Sequence, residues 1–83
     1  MTDRPSTAQV AATEVLLEVI LLAEDTLTLV SRAAARSDLH DLVRSAQALV
    51  AAVSADERWT LPVRDFAISA AVAILLYRME AQR

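Results

Sequence analysis

Glycine is absent from all 83 residues of this chain, while alanine occurs 17 times. Glycine is the usual residue of tight hairpin turns, and alanine is the best helix former. No segment alternates apolar and polar residues with the period of two that marks a strand. The composition therefore predicts an all-α fold, and the length of the chain allows one helical domain over residues 1–83.

The spacing of apolar residues predicts three helices, over residues 6–35, 38–54 and 62–81. Ser6 and Gln9 have the spacing of a capping box, and Pro62 is tolerated in a first helical turn. Acidic residues come first and arginines follow in each segment, which is the order that helix dipoles favour. We expect a three-helix bundle, in which a helical hairpin is followed by a largely apolar third helix.

Helical phase determines where the hairpin should turn. The apolar positions between residues 39 and 53 lie about half a turn away from those of the first helix when both are placed on one straight helix. Such a helix would show its two halves to opposite sides. A break near residues 36–38 would let both sets face one core, with Ser37 or Asp38 capping the second helix.

The third helix is apolar on nearly every side between Phe66 and Tyr77, where only Ser69 interrupts. A helix that is apolar all round is usually buried all round, and two neighbouring helices cannot enclose it. We therefore expect this region to meet a partner through Phe66, Ile68, Val72, Ile74, Leu75 and Tyr77. Trp59 is either an interface anchor beside them or a plug for the end of the bundle.

The first helix also carries apolar residues in the middle of its polar half, namely Val10, Leu17 and Leu21. Its predicted length is about 43 Å against about 25 Å for the second helix, so part of it lacks a hairpin partner. Four acids share this half: Glu14, Glu18, Glu24 and Asp25. They form either a solvated face or an acidic rim that selects a partner with a basic surface, and the Glu-x-x-His pairs of two-metal bundles are missing.

Several chemistries are disfavoured by composition. The net charge is −3, from eight arginines and no lysine against eleven acids, so we expect no nucleic-acid binding. Without cysteine and with His40 as the single histidine, we expect no metal, no cofactor and no catalytic residue. His40 is interpreted as solvated. Arg32, Arg36 and Arg44 could grip phosphate, but matching of helix dipoles explains them more simply.

The longest apolar stretch, of 12 residues, is shorter than the roughly 20 that a membrane span needs, so no span is expected. The polar first nine residues indicate no secretory leader, and we expect a cytoplasmic protein. Arginine without lysine, beside many alanines, is typical of a GC-rich bacterium or its phage.

The functional expectation is a small acidic helical protein–protein interaction module, a homodimer that acts as a regulatory, adaptor or inhibitor protein. It follows from apolar helix surface that three helices cannot bury among themselves. A monomeric bundle and an obligate complex with a different protein remain the structural alternatives. The functional alternatives are a membrane-peripheral helical protein and a small metal-binding or enzymatic bundle.

Overall fold

A computed structural model describes residues 6–82, which form three α-helices: α1 (Thr7–Leu27), α2 (Ala33–Ser54) and α3 (Thr60–Ala81). The predicted all-α three-helix bundle is confirmed. α1 packs most extensively against α2 and less against α3, while α2 and α3 touch least. The chain runs up, down and up again, so α1 and α3 are parallel.

The start of α1 is fixed by the predicted capping box. The hydroxyl of Ser6 accepts a hydrogen bond from the Gln9 backbone N–H at 3.1 Å, and the Gln9 side chain accepts one from the Ser6 N–H at 2.7 Å. The same Gln9 amide donates to the carbonyl oxygen of Val53 at 3.0 Å. The cap therefore also ties the start of α1 to the last turn of α2.

The first break lies earlier than the sequence suggested. The expected first helix over 6–35 is wrong, because the chain leaves the helix after 21 residues and the turn occupies residues 28–32 rather than 36–38. The expected cap at Ser37 or Asp38 is also wrong, since both residues lie inside α2. α1 and α2 are thus nearly equal in length, with 21 and 22 residues, and the expected length mismatch disappears.

A single guanidinium explains how this turn forms without glycine or proline. Arg36, in the first turn of α2, donates from Nη1 to the carbonyl oxygens of Leu27 at 2.7 Å and Val30 at 3.0 Å. The last carbonyls of a helix have no partner within it, and a cation beside them is also favoured by the helix dipole. Arg36 therefore takes the part that a glycine cap plays at many helix ends.

The core is small and consists of two clusters along α1. The first contains Ala12, Leu16, Ala46, Val53 and Val63, and the second contains Val19, Ala23, Leu39, Ala70 and Ile74. Phe66 packs against both clusters. Five of the eleven buried apolar residues are alanines, so the helices approach closely but remove little apolar area from water.

The connection between α2 and α3 also turns without glycine. Asp56 takes the left-handed conformation, with φ of 56°, which aspartate tolerates better than most residues. Trp59 follows and packs, partly buried, against the first core cluster, as expected of a plug for the end of the bundle. α3 begins at Thr60, two residues before the predicted start.

Polar contacts fasten the far end of α3 to the rest of the bundle. Arg78 donates to a carboxylate oxygen of Asp25 at 2.8 Å and to the hydroxyl of Thr26, which is fully buried, at 2.9 Å. Arg32 pairs with Glu80 at 2.9 Å, although both side chains are more than half exposed. These contacts align the carboxyl-terminal ends of the parallel α1 and α3.

The role of Arg36 can be tested by replacement. Arg36→Ala is expected to lower the free energy of unfolding by about 1–2 kcal/mol, because two carbonyl oxygens lose a charged donor. Arg44→Ala is the matched control, since Arg44 makes only an exposed pair with Asp41 at 3.8 Å and should change stability by less than about 0.5 kcal/mol. Urea unfolding followed by circular dichroism, at one protein concentration, measures both. Equal losses in the two variants would contradict the assigned role.

Candidate interaction surfaces

α3 has a second apolar side that faces away from the core. Six large apolar side chains on it are 51–60% exposed: Leu61, Ile68, Val72, Leu75, Leu76 and Met79. Their spacings of three, four and seven residues place them along one side of the helix. The opposite side carries Val63, Ala70 and Ile74, which are buried against α1 and α2. α3 therefore has two apolar sides, one buried against α1 and α2 and one exposed.

α1 extends this exposed surface. Val15 and Leu22 are 45% and 40% exposed, and they lie about 120–160° around the helix from Gln9 and Ile20, which face α2. Thr26 marks the side of α1 that faces α3, because it accepts a hydrogen bond from Arg78. Val15 and Leu22 therefore border α3 on the side of the α1–α3 pair away from α2.

We call the combined surface the open face: Val15 and Leu22 of α1 with Leu61, Ile68, Val72, Leu75, Leu76 and Met79 of α3. Each of these aliphatic residues is between 40% and 60% exposed, which amounts to on the order of 100 Å² each and about 800 Å² together. The largest apolar patch on a typical monomer is about 300–600 Å², and one partner in a standard protein interface contributes about 800 Å². The open face therefore has the size and chemistry of an interface.

A second, smaller apolar surface lies on the other side of α1. It consists of Val10, Leu17 and Leu21, which are 44%, 49% and 61% exposed, and we call it the α1 strip. Glu14, Glu18 and Glu24 lie among and beside these residues, and within residues 6–82 none of the three carboxylates forms an ion pair. Asp25 differs from the other members of the predicted acidic rim, because Arg78 binds its carboxylate.

The structure corrects part of the expected interface. Ile74 is only 4% exposed and belongs to the core, so its assignment to a partner surface is wrong. Trp59, Phe66 and Tyr77 are partly buried and pack against the core clusters of their own chain. The physical reason is that α1 and α2 do cover one side of α3, which the all-round apolar pattern concealed.

Five residues of the open face were not predicted from the sequence: Val15, Leu22, Leu61, Leu76 and Met79. A signal for two of them exists, because Leu61 continues the seven-residue spacing of Ile68 and Leu75, and Met79 continues that of Val72. For Val15 and Leu22 no local signal exists. They lie in the apolar half of α1, and which part of that half stays uncovered depends on where α3 packs.

The polar residues singled out in the sequence are dispersed. His40 is exposed on α2, and Arg44 makes only its weak contact with Asp41. Arg32 and Arg36 are engaged by Glu80 and by backbone carbonyls, respectively. Across the described part of the chain no three histidine, cysteine or acidic side chains come together as metal ligands.

By length and composition α3 is also a candidate membrane span. Its mean hydropathy reaches 1.5 over an 18-residue window, of which only 17% is buried. The 12-residue stretch from Phe66 to Tyr77 does not indicate this by itself, because an 18-residue window also takes in neighbouring residues, Arg64 and Asp65 among them. Between these charges and Arg78, the uncharged part is about 18 Å long against about 30 Å for a hydrocarbon core.

Tyr77 offers a spectroscopic test of how α3 is anchored. Its hydroxyl donates a hydrogen bond to the carboxylate of Asp38, and this bond, followed by burial and the negative charge of Asp38, raises the tyrosine pKa above its ordinary value of 10.0. The stabilisation is complete below pH 10 and is lost as the pH rises through the raised pKa.

The chain contains one tyrosine, so its ultraviolet absorbance titration reports this group alone. We expect a midpoint above 10.0 in the wild-type protein and a lower midpoint in Asp38→Asn. Asp41→Asn is the matched control and should leave the midpoint unchanged. An identical midpoint in the wild type and Asp38→Asn would show that Tyr77 is not bound to Asp38.

No family model, no curated protein and no solved structure matches this chain. Its function is therefore inferred from its own structure. The most unusual features of that structure are the two exposed apolar surfaces, the open face and the α1 strip.

Proposed function

We propose that this chain is a small helical protein–protein interaction module that forms a homodimer through its open face. The proposal depends chiefly on one observation, the six large apolar side chains of α3 that are more than half exposed. Its mechanism is binding by helix packing rather than catalysis. A regulatory, adaptor or inhibitor role is consistent with such a module.

The size of the open face makes self-association energetically reasonable. Removing exposed apolar surface from water favours association by roughly 25 cal/mol per Å², but only the surplus over the costs of association appears as affinity. Association costs an estimated 4–15 kcal/mol in lost freedom of motion, and further side-chain ordering reduces the net gain. The small, alanine-rich core is a second reason to expect association, because a partner adds the apolar burial that the three helices lack.

The α1 strip is proposed as the binding surface for a different protein. It stays exposed when the open face is covered, because it lies on another side of α1. Three apolar side chains surrounded by Glu14, Glu18 and Glu24 are suited to an amphipathic helix with basic residues beside its apolar stripe. The carboxylates would contribute specificity and rate of association more than affinity.

Charge placed within the open face should prevent dimerisation. Ile68→Glu and Leu75→Glu are each expected to shift the mass in light scattering at micromolar concentration from twice 9.0 kDa to 9.0 kDa, because a carboxylate buried without a partner is strongly destabilising. Ala48→Glu is the matched control, since Ala48 is exposed on the polar outer side of α2. A wild-type protein of 9.0 kDa that melts cooperatively would reject the proposal.

The α1 strip is tested by a different pair of changes. Leu17→Glu with Leu21→Glu should abolish binding of a synthetic helical peptide with leucine and lysine stripes, while the dimer mass stays unchanged. Glu14→Gln with Glu18→Gln should weaken binding and reduce its dependence on salt. Fluorescence anisotropy of labelled peptide measures both. If peptide binding survives the double leucine change, the α1 strip is not the binding surface.

The hydropathy and exposure of α3 also favour a second candidate, a protein that lies on a membrane surface with the open face towards lipid. Both candidates remove the open face from water, the first by contact with a second copy and the second by contact with lipid. Co-sedimentation with neutral phosphatidylcholine vesicles distinguishes them, because a module that dimerises through the open face should remain in the supernatant. Pelleting of the wild type, abolished by Ile68→Glu, would favour the membrane role.

A further inference from the structure

The exposed side of α3 has the spacing of a coiled-coil seam. Leu61, Ile68 and Leu75 recur every seven residues, and Asp65, Val72 and Met79 recur with the same period four residues later. Alternating steps of four and three are the pattern by which one helix packs along another. We call these six residues the α3 seam. It runs the length of a 22-residue helix, about 33 Å, so its natural complement is another helix of similar length.

We propose that this complement is the α3 of a second copy, packed in antiparallel orientation with the crossing point near residue 70. The inference rests on the proposed homodimer and adds its geometry. A two-fold interface must be self-complementary, since each copy contributes the same surface. The net charge of −3 does not oppose it, because the one acid of the seam, Asp65, lies 3.7 Å from Arg64 and the two charges offset each other locally.

The position of Asp65 determines the orientation. In a parallel pair each seam residue faces its own copy, so two Asp65 carboxylates would meet inside the interface, where like charges are destabilising. In the antiparallel pair Asp65 lies opposite Leu75 near the end of the seam. The two carboxylates are then separated by about ten residues of helix, or about 15 Å, and each stays near solvent.

The remaining seam positions suit the antiparallel register. Around a crossing point at residue 70, Leu61 opposes Met79 and Ile68 opposes Val72, so apolar side chains meet apolar side chains. Ser69 and Ala71 flank the crossing point and are both small and exposed. Small flanking residues allow two helix backbones to approach closely at the place where the helices cross.

This geometry also determines where the α1 strips lie. In the antiparallel pair the two-fold axis is perpendicular to the plane that contains both α3 helices. Because α1 lies beside α3 and parallel to it, rotation about this axis places both copies of α1 on the same side of that plane. The two α1 strips would then face one direction, whereas a parallel pair would place them on opposite sides. An antiparallel dimer therefore presents two acidic, apolar strips to a single partner surface.

Disulfide trapping tests the orientation cleanly, because the chain has no cysteine of its own. Leu61→Cys and Met79→Cys are made separately at exposed positions, where protomer folding should be preserved. Each variant alone should remain 9.0 kDa on non-reducing gels, since identical positions lie far apart in the antiparallel pair. A mixture that is unfolded and refolded together should give a covalent species of twice that mass. Ala48→Cys mixed with either variant is the control and should give none.

The outcomes separate this inference from the proposed dimer. Covalent dimers from each single variant, and none specific to the mixture, would establish the parallel orientation and overturn the inference while the homodimer stands. A non-covalent dimer by light scattering, with no trapping in any sample, would place the interface away from the α3 seam and also overturn it. A 9.0 kDa species by light scattering would reject the homodimer itself.

Discussion

The architecture of this molecule depends on the packing of α1 between two helices that barely touch each other. Leu16 and Val19 of α1 are each buried in a core cluster to which both α2 and α3 contribute residues. Because α2 contacts α3 so little, it cannot also cover the far side of the α1–α3 pair. The open face is the direct result: α2 covers one side of the layer formed by the two parallel helices, and no residue between 6 and 82 covers the other side.

The outer surfaces of α2 and α3 differ in the side chains that they carry. α2 is conventionally amphipathic, with its outer side formed by charged residues, serine, glutamine and alanine. α3 has leucine, isoleucine, valine and methionine on its outer side, with the Arg64–Asp65 pair near its start. Charge in α3 is otherwise concentrated at its end, where Arg78 and Glu80 bind α1 and the first turn. Polar groups in α3 thus serve to fasten the helix and leave its middle uncharged.

Sequence reasoning recovered the fold class, the capping box at Ser6 and the excess of apolar surface, because these depend on local composition and periodicity. The position of the first turn was missed, since it depends on Arg36 reaching back to the carbonyl oxygens of Leu27 at the end of α1 and Val30 in the turn, contacts without a local signature. Ile74 was misplaced for a related reason. An all-round apolar helix does not reveal which of its sides its own chain covers, and only packing distinguishes Ile74 from Leu75.

Because α2 lies on one side of the α1–α3 pair, the protomer has a polar side formed by α2 and an apolar side formed by the open face. Whatever covers the open face, a second copy or lipid, α2 lies on the opposite side and continues to face water. The side chain of His40, which is exposed on α2, therefore remains accessible in every such arrangement. A dye, tag or immobilising linker attached along the outer side of α2 can report on binding without obstructing it, because geometry keeps that side clear of the contact.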